Sequence, residues 1–444
     1  MSIPRFSSLL AAAALSFAAG PGSSATFTAV EPGGPVIDLL FNAQITQGWQ
    51  FVPSSNITVT ALGFSDPTKD GLKAAHQVGI LRLADGELVA SATVTNASTP
   101  QGFYRYTAIS PVTLSAGTQY QIVGTMPDPD DGEVVANLAG SVFRAVSYQG
   151  FGGGGGGAAA PILFGAPTLQ IGGNARLSSN FLFEPAPNYQ DLWWNPLESG
   201  WGINFAHQGD IVFATWFTYG ADNQPQWFTI LANKTAERVY AGPVSSFTGL
   251  PFNTLPYTAN ANVKTPVGTA TISFSEDGRS ATFNYTVNGI TQTKQIVPQE
   301  FAAPVPSCAF GVQPNLALAA NFQDLWWVIG GNESGWGINF THQGNIIFAT
   351  WFTYAAGGKG RWVSLVAAQT AVPNVYAGLL KTTTGPPFSA EPFDPNAVVR
   401  TTAGNATLTI IDGSHARFDY TLDGVTQSKN LERQVFVAPG TACQ

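Results

Sequence analysis

The chain has 444 residues, room for about three domains, and only 10% of them are charged. Glycine (48), proline (30) and aromatic residues (12%) are abundant and long amphipathic helical patterns are absent, which points to an all-β protein with many turns. The net charge of −8, with no basic run, argues against nucleic acid or an anionic membrane surface as partner.

Residues 1–25 read as a secretory signal. Arg5 supplies the positive start, Leu9 to Ala19 a short apolar run, and Ser23-Ser24-Ala25 a small-residue cleavage site. The apolar run is too short to span a bilayer, and no second one follows. The expectation is an exported bacterial protein, secreted or periplasmic, with no membrane insertion once the signal is removed.

Residues 26–184 carry strand signals at short, regular intervals, among them Ile57–Phe64, Gln77–Arg82, Leu88–Val94, Tyr104–Thr107 and Gln119–Val123. Glycine, proline and aspartate punctuate them, the pattern of an antiparallel β-sandwich. The run ITVTALGF, DGL, HQVGI, LVASATV, GFYRY, SPVTLSAGTQYQIVG resembles a β-sandwich domain of unknown function common in exported bacterial proteins, often ones with a PEP-CTERM anchor. That resemblance implies fold and export, and the family has no established catalytic residues to carry over. Gly152–Gly157 (152–157) reads as a low-complexity loop inserted before the last strand of this domain, with an interdomain linker as alternative. Asp128, Asp130, Asp131 and Glu133 lack full EF-hand spacing and read as a solvated acidic turn.

Two repeats follow, at residues 187–308 and 319–443. Glu198 to Tyr219, ESGWGINFAHQGDIVFATWFTY, returns as Glu333 to Tyr354 with changes only at Ala206/Thr341, Asp210/Asn345 and Val212/Ile347. In the first repeat, eight strands are expected to begin near Asp191, Gly200, Asp210, Gln226, Val239, Gly268, Ala281 and Thr291. Short turns join most of them, so each repeat should be an up-and-down meander, either a small closed barrel or a sandwich. The repeated stretch itself reads as a hairpin with a Gln208-Gly209 turn. That register sets His207 opposite Asp210 and Trp201 opposite Trp216. The repeats resemble exported bacterial modules with the signature WWNPxESGWGxNxxHQGxxxFATWFTY, whose role is unassigned.

Cys308 and Cys443 close the two repeats at equivalent positions. In an oxidising compartment they are expected to pair and clamp the repeats together, the alternative being two separate thiols.

The chemistry-bearing residues favour binding over catalysis. Trp193, Trp194, Trp201, Trp216 and Trp227 recur as Trp326, Trp327, Trp336, Trp351 and Trp362, either as a platform for sugar rings or as core bulk. Alternation sends Trp201 and Trp216 inward and lets only one of Trp193 and Trp194 follow. His207 beside Asp210 suggests an oriented base, but the second copy pairs His342 with Asn345, so a turn anchor is the plainer reading. Asp191 with Glu198, and Asp324 with Glu333, change their spacing between copies, which argues against a glycosidase pair. With four histidines and two distant cysteines, no metal spacing appears, and no cofactor is expected. The reading is an exported, non-catalytic binding or surface protein that takes a polysaccharide or other extracellular polymer. Its contact residues would be Trp193, Trp194, Glu198, Asn204, His207 and Trp227, with Trp326, Trp327, Glu333, Asn339, His342 and Trp362. An exported hydrolase using Glu198 and Glu333, and a purely structural matrix protein, are the alternatives.

Overall fold

A computed structural model describes residues 26–31, 45–53, 56–126, 135–136, 142–143, 146–155, 175–176, 178–258, 261–313, 315–438 and 440–444. The expected signal and the acidic turn at Asp128–Glu133 lie outside them. The fold is all-β: two five-stranded sheets at the N-terminal end, then two closed eight-stranded barrels.

The first sheet runs in the order Phe27–Thr28, Ser179–Pro185, Ile57–Ser65, Tyr104–Leu114, Thr99–Gln101. The second runs Val146–Gly155, Ile45–Pro53, Tyr120–Met126, His76–Arg82, Leu88–Val94. Trp49, Phe51, Val59, Phe64, Ile122 and Phe181 from both sheets share one core, which makes this a sandwich. One expectation is corrected here. Gly152–Gly155 is strand rather than loop, paired residue by residue with Ile45–Gly48. The neighbouring strand supplies the ladder that glycine composition alone does not favour.

Barrel one comprises Asp191–Trp194, Gly202–Gln208, Ile211–Tyr219, Pro225–Ala236, Val239–Thr248, Val263–Phe274, Ala281–Val287 and Ile290–Pro298, in sequence order. Barrel two repeats it from Asp324–Val328 to Val425–Arg433. Ala281–Val287 shows why these are strands: Ala281, Phe283, Tyr285 and Val287 are buried while Asn284 and Thr286 are exposed. Closure leaves neither barrel a free edge.

The repeated hairpin departs from its expected register. Gln208 pairs with Ile211, so the loop is Gly209-Asp210, with Gly209 at φ +60° in the first loop position. Gln208 stays in the strand because the tail of barrel two holds its side chain. Its Oε1 accepts from the backbone N–H of Phe436 and Val437, and its Nε2 donates to Gln434 O. The shift is two residues, so every side chain keeps its face while its partner changes. His207 now faces Val212 and Ile203 faces Trp216.

Gly202–Gln208 is buried along its whole length, because the outer face of this hairpin packs on the same face of barrel two. Trp227 Nε1 donates to Thr353 O at 3.0 Å, and Trp362 Nε1 returns the bond to Thr218 O at 2.7 Å. Gln190 and Gln323 exchange side chain-to-backbone bonds, each 2.9 Å. The result is a pseudo-two-fold pair within one chain, and each barrel lends segments to the other. Phe388, on the loop before Val399–Asp412, lies 5.6 Å from the rings of Trp216 and Phe228 and caps the mouth of barrel one. Phe252 makes the reciprocal contact with Trp351, at 5.9 Å. Cys308 and Cys443 are joined across the short ribbon Cys308–Phe310 with Thr441–Cys443, tying the two tails together.

Candidate functional site

Each barrel has a capped mouth and an opposite, hairpin end. At the mouth of barrel one, Glu198 Oε2 accepts from Trp201 Nε1 at 3.1 Å and Glu198 Oε1 from Lys294 Nζ at 2.9 Å. The Lys294 side chain is 7% exposed and that of Glu198 16%. Barrel two repeats the cluster with Glu333, Trp336 and Lys429. Lys294 arrives by strand alternation, on the inward face with Gln292 and Ile296. Lys294 is not among the site residues expected from sequence, although the period-two pattern of TQTKQI carried the signal. Trp216 Nε1 and Trp351 Nε1 are buried without a hydrogen-bond partner in both copies.

This geometry favours a structural anion over a catalytic acid. Both oxygens of Glu198 already accept bonds, one of them from a cation. The other carboxylate is also far away. Asp191 pairs with Phe205, while Glu198 binds Trp201 four residues further along, roughly 13 Å at ~3.3 Å per residue. A glycosidase pair stands about 5 to 9.5 Å apart.

At the hairpin end, His207 is buried. Its Nδ1 accepts from Tyr189 N at 3.0 Å, so Nε2 carries the proton and donates to Tyr240 Oη at 3.1 Å. Burial pushes it down to about 3, and His342, bound to Phe322 N and Tyr376 Oη, to about 4. Both imidazoles are neutral fasteners for the chain entering each barrel. The expected rim pair with Asp210 does not form.

The tryptophans divide sharply. Trp193, Trp227, Trp326 and Trp362 are buried, as are Trp201, Trp216, Trp336 and Trp351. Trp193 and Trp326 fill barrel interiors and donate to Tyr189 O and Phe322 O. Trp227 and Trp362 bridge the barrels. None of these eight offers a face to solvent, which corrects the expected role of Trp193, Trp227, Trp326 and Trp362 as polymer contacts, whereas Trp201 and Trp216 point inward as alternation predicts. Asn204 and Asn339 are also buried, on the barrel-to-barrel face, and Asn339 Nδ2 donates to Thr215 Oγ1 at 2.7 Å. Of the expected contact residues, Trp194 and Trp327 remain half-exposed, with Glu198 and Glu333 half-buried beside them. Leu197, on the loop between Trp194 and Glu198, is 83% exposed.

A second polar cluster lies at the entry to barrel one. Asp191, Glu300, Arg279, Asn188 and Gly278 border a cleft of about 350 Å³ beside Cys308. Burial, with the charge of Glu300, pushes Asp191 up to about 7. In barrel two Asp324 is fully buried, and Arg433 donates to its Oδ2 at 3.2 Å. Burial raises Asp324 to about 6 against the pull of that guanidinium. Among the described residues, no group of three or more His, Cys, Asp or Glu could hold a metal ion.

Residues 39–139 match a family described as a domain of unknown function (DUF4082). The match falls within the sandwich and leaves both barrels outside it. No curated protein and no solved structure matches the chain.

Proposed function

We propose that this is an exported, non-catalytic surface protein that holds an extracellular polymer at two equivalent lips, one on each barrel. The observation that carries the reading is the loop after the Trp-Trp pair. In both copies it keeps an indole half-exposed, Trp194 and Trp327, beside apolar residues in solvent, Leu197 and Ile329. Indoles at a lip give large contact area at low entropic cost, which suits sugar rings or other flat apolar faces. Locking the barrels together fixes the distance between the lips, so a long polymer engages the second at high effective concentration. The likeness of the repeats to exported bacterial modules and the signal-like start of the chain support export. The disulfide between Cys308 and Cys443 agrees with an oxidising compartment.

Pull-down on a panel of insoluble polysaccharides tests this. Trp194→Ala with Trp327→Ala should lower retention by at least tenfold, and either single change by much less. Undiminished retention in the double variant removes the lips from the site. A purely structural role is the second reading, favoured by how many indoles join the barrels. It predicts no retention on any polymer. The hydrolase reading would require turnover that disappears in Glu198→Gln with Glu333→Gln.

A further inference from the structure

At the entry strand the two barrels keep the same backbone pairing and differ in side chains. In barrel two the Arg433 guanidinium sits in a cradle of acceptors. It donates to Gly413 O at 2.9 Å, Asn321 O at 2.9 Å, Gln323 O at 3.2 Å and the Asp324 carboxylate at 3.2 Å. Arg433 pairs with Trp326 in the ladder, and Pro298 pairs with Trp193 at the same place in barrel one. The acceptors have counterparts in barrel one: Gly278, Asn188, Gln190 and Asp191, all bordering the cleft of about 350 Å³. Proline has no side chain to fill this cradle, so the frame is present and the chain's own guanidinium is not.

We infer that this cleft is a guanidinium-binding site, taking an arginine side chain of a partner protein or a free guanidinium compound. Three observations converge on it. The same acceptor set binds a guanidinium in the twin barrel. Among the described residues no cation pairs with Asp191, whose Oδ1 accepts only from Leu192 N and, at 3.5 Å, from Gln323 Nε2. The cleft is also more acidic than its twin, since Glu300 stands where barrel two has Val435. Arg279, the cation at the rim of the cleft, is exposed on the turn before Ala281–Val287 and forms no ion pair with Asp191. A planar fork of donors matches one carboxylate and several carbonyls at once; an ammonium does not. Because burial raises Asp191 to about 7, with Glu300 adding to the shift, binding should strengthen from pH 5 to pH 8 as the carboxylate ionises.

Calorimetric titration of the full chain with arginine amide, lysine amide and an arginine-centred pentapeptide tests the assignment. Wild type should bind arginine amide saturably and lysine amide about tenfold more weakly. Pro298→Arg should fill the cradle from within, abolish binding and raise the thermal transition. Asp191→Asn, which is isosteric, should abolish binding too, while leaving the thermal transition near pH 4 unchanged. Arg279→Ser, which copies Ser414 and removes a like charge from the rim of the cleft, should bind arginine amide at least as tightly as wild type does. A pentapeptide about tenfold tighter than arginine amide assigns a protein partner; equal affinity assigns a free guanidinium compound. Lack of saturation by arginine amide and by the pentapeptide, equal affinity for lysine amide, or binding retained in Pro298→Arg would overturn the proposal.

Discussion

Barrel one and barrel two share strand order, hairpin loop and a capped Glu–Lys–Trp mouth, yet they treat one buried carboxylate in opposite ways. Asp324 is sealed under Arg433, both side chains fully buried. Asp191 opens onto a cleft, with Pro298 in place of the arginine and Glu300 added. Duplication frees one copy to serve the fold while the other keeps the same polar frame exposed. The difference is confined to a few side chains, because the acceptors around Arg433 are mostly backbone carbonyls and persist in either copy.

Breaking the closed copy should have the largest effect. Arg433→Ala leaves the Asp324 carboxylate buried without its cation and takes their guanidinium donor from the carbonyls of Gly413 and Asn321, while Gln323 O keeps Gln190 Nε2. Stability should fall by about 3–5 kcal/mol, read as a lower urea midpoint near pH 8. A loss under about 1 kcal/mol would mean that the pair is not what closes barrel two.

The open copy should respond in the reverse sense. Asp191 titrates near 7 in the folded chain and near 3.9 when unfolded. Between those values the folded state keeps a proton that the unfolded state has released. Stability therefore falls as pH rises from about 4 to about 7, and stays lower above. Asp191→Asn removes this slope. The expected gain is about 1–2 kcal/mol near pH 8 and none near pH 4, discounted from the full shift because the carboxyl borders an open cleft. Denaturation midpoints across that range check it, and a gain equal at both ends would assign the effect to packing instead.

Strand positions were readable from sequence because they rest on local alternation. Val239 and Ala281 begin strands where expected, and in Ala281–Val287 each apolar residue points inward. The misreadings share a different cause, contacts with distant parts of the chain. Gln208 stays in its strand because Phe436 and Val437 bind its side chain, which moves the loop by one residue. Trp227 and Trp362 are sealed by the other barrel, so hydropathy along either repeat cannot distinguish them from an exposed platform. Gly152–Gly155 is held by Ile45–Gly48, about a hundred residues earlier. The cleft at Asp191 had a legible signal in the exchange of Pro298 for Arg433, visible only when the two repeats are compared end to end.

The finest difference between the halves lies in the contact that joins them. Asn339 Nδ2 donates to Thr215 Oγ1 at 2.7 Å, whereas the symmetry-related Asn204 amide and Thr350 hydroxyl have no hydrogen-bond partner. A pseudo-two-fold axis between unlike sequences need not be exact. Thr341 stands on one side where Ala206 stands on the other, and both are buried. Asn339→Ala removes a made bond and strands the Thr215 hydroxyl, which should cost about 1–2 kcal/mol. Asn204→Ala removes a polar group that already pays its desolvation without return, so its loss should fall within about 0.5 kcal/mol of neutral. Equal losses in paired chemical denaturation curves would show that both contacts form in solution and that the asymmetry belongs only to the entry strand.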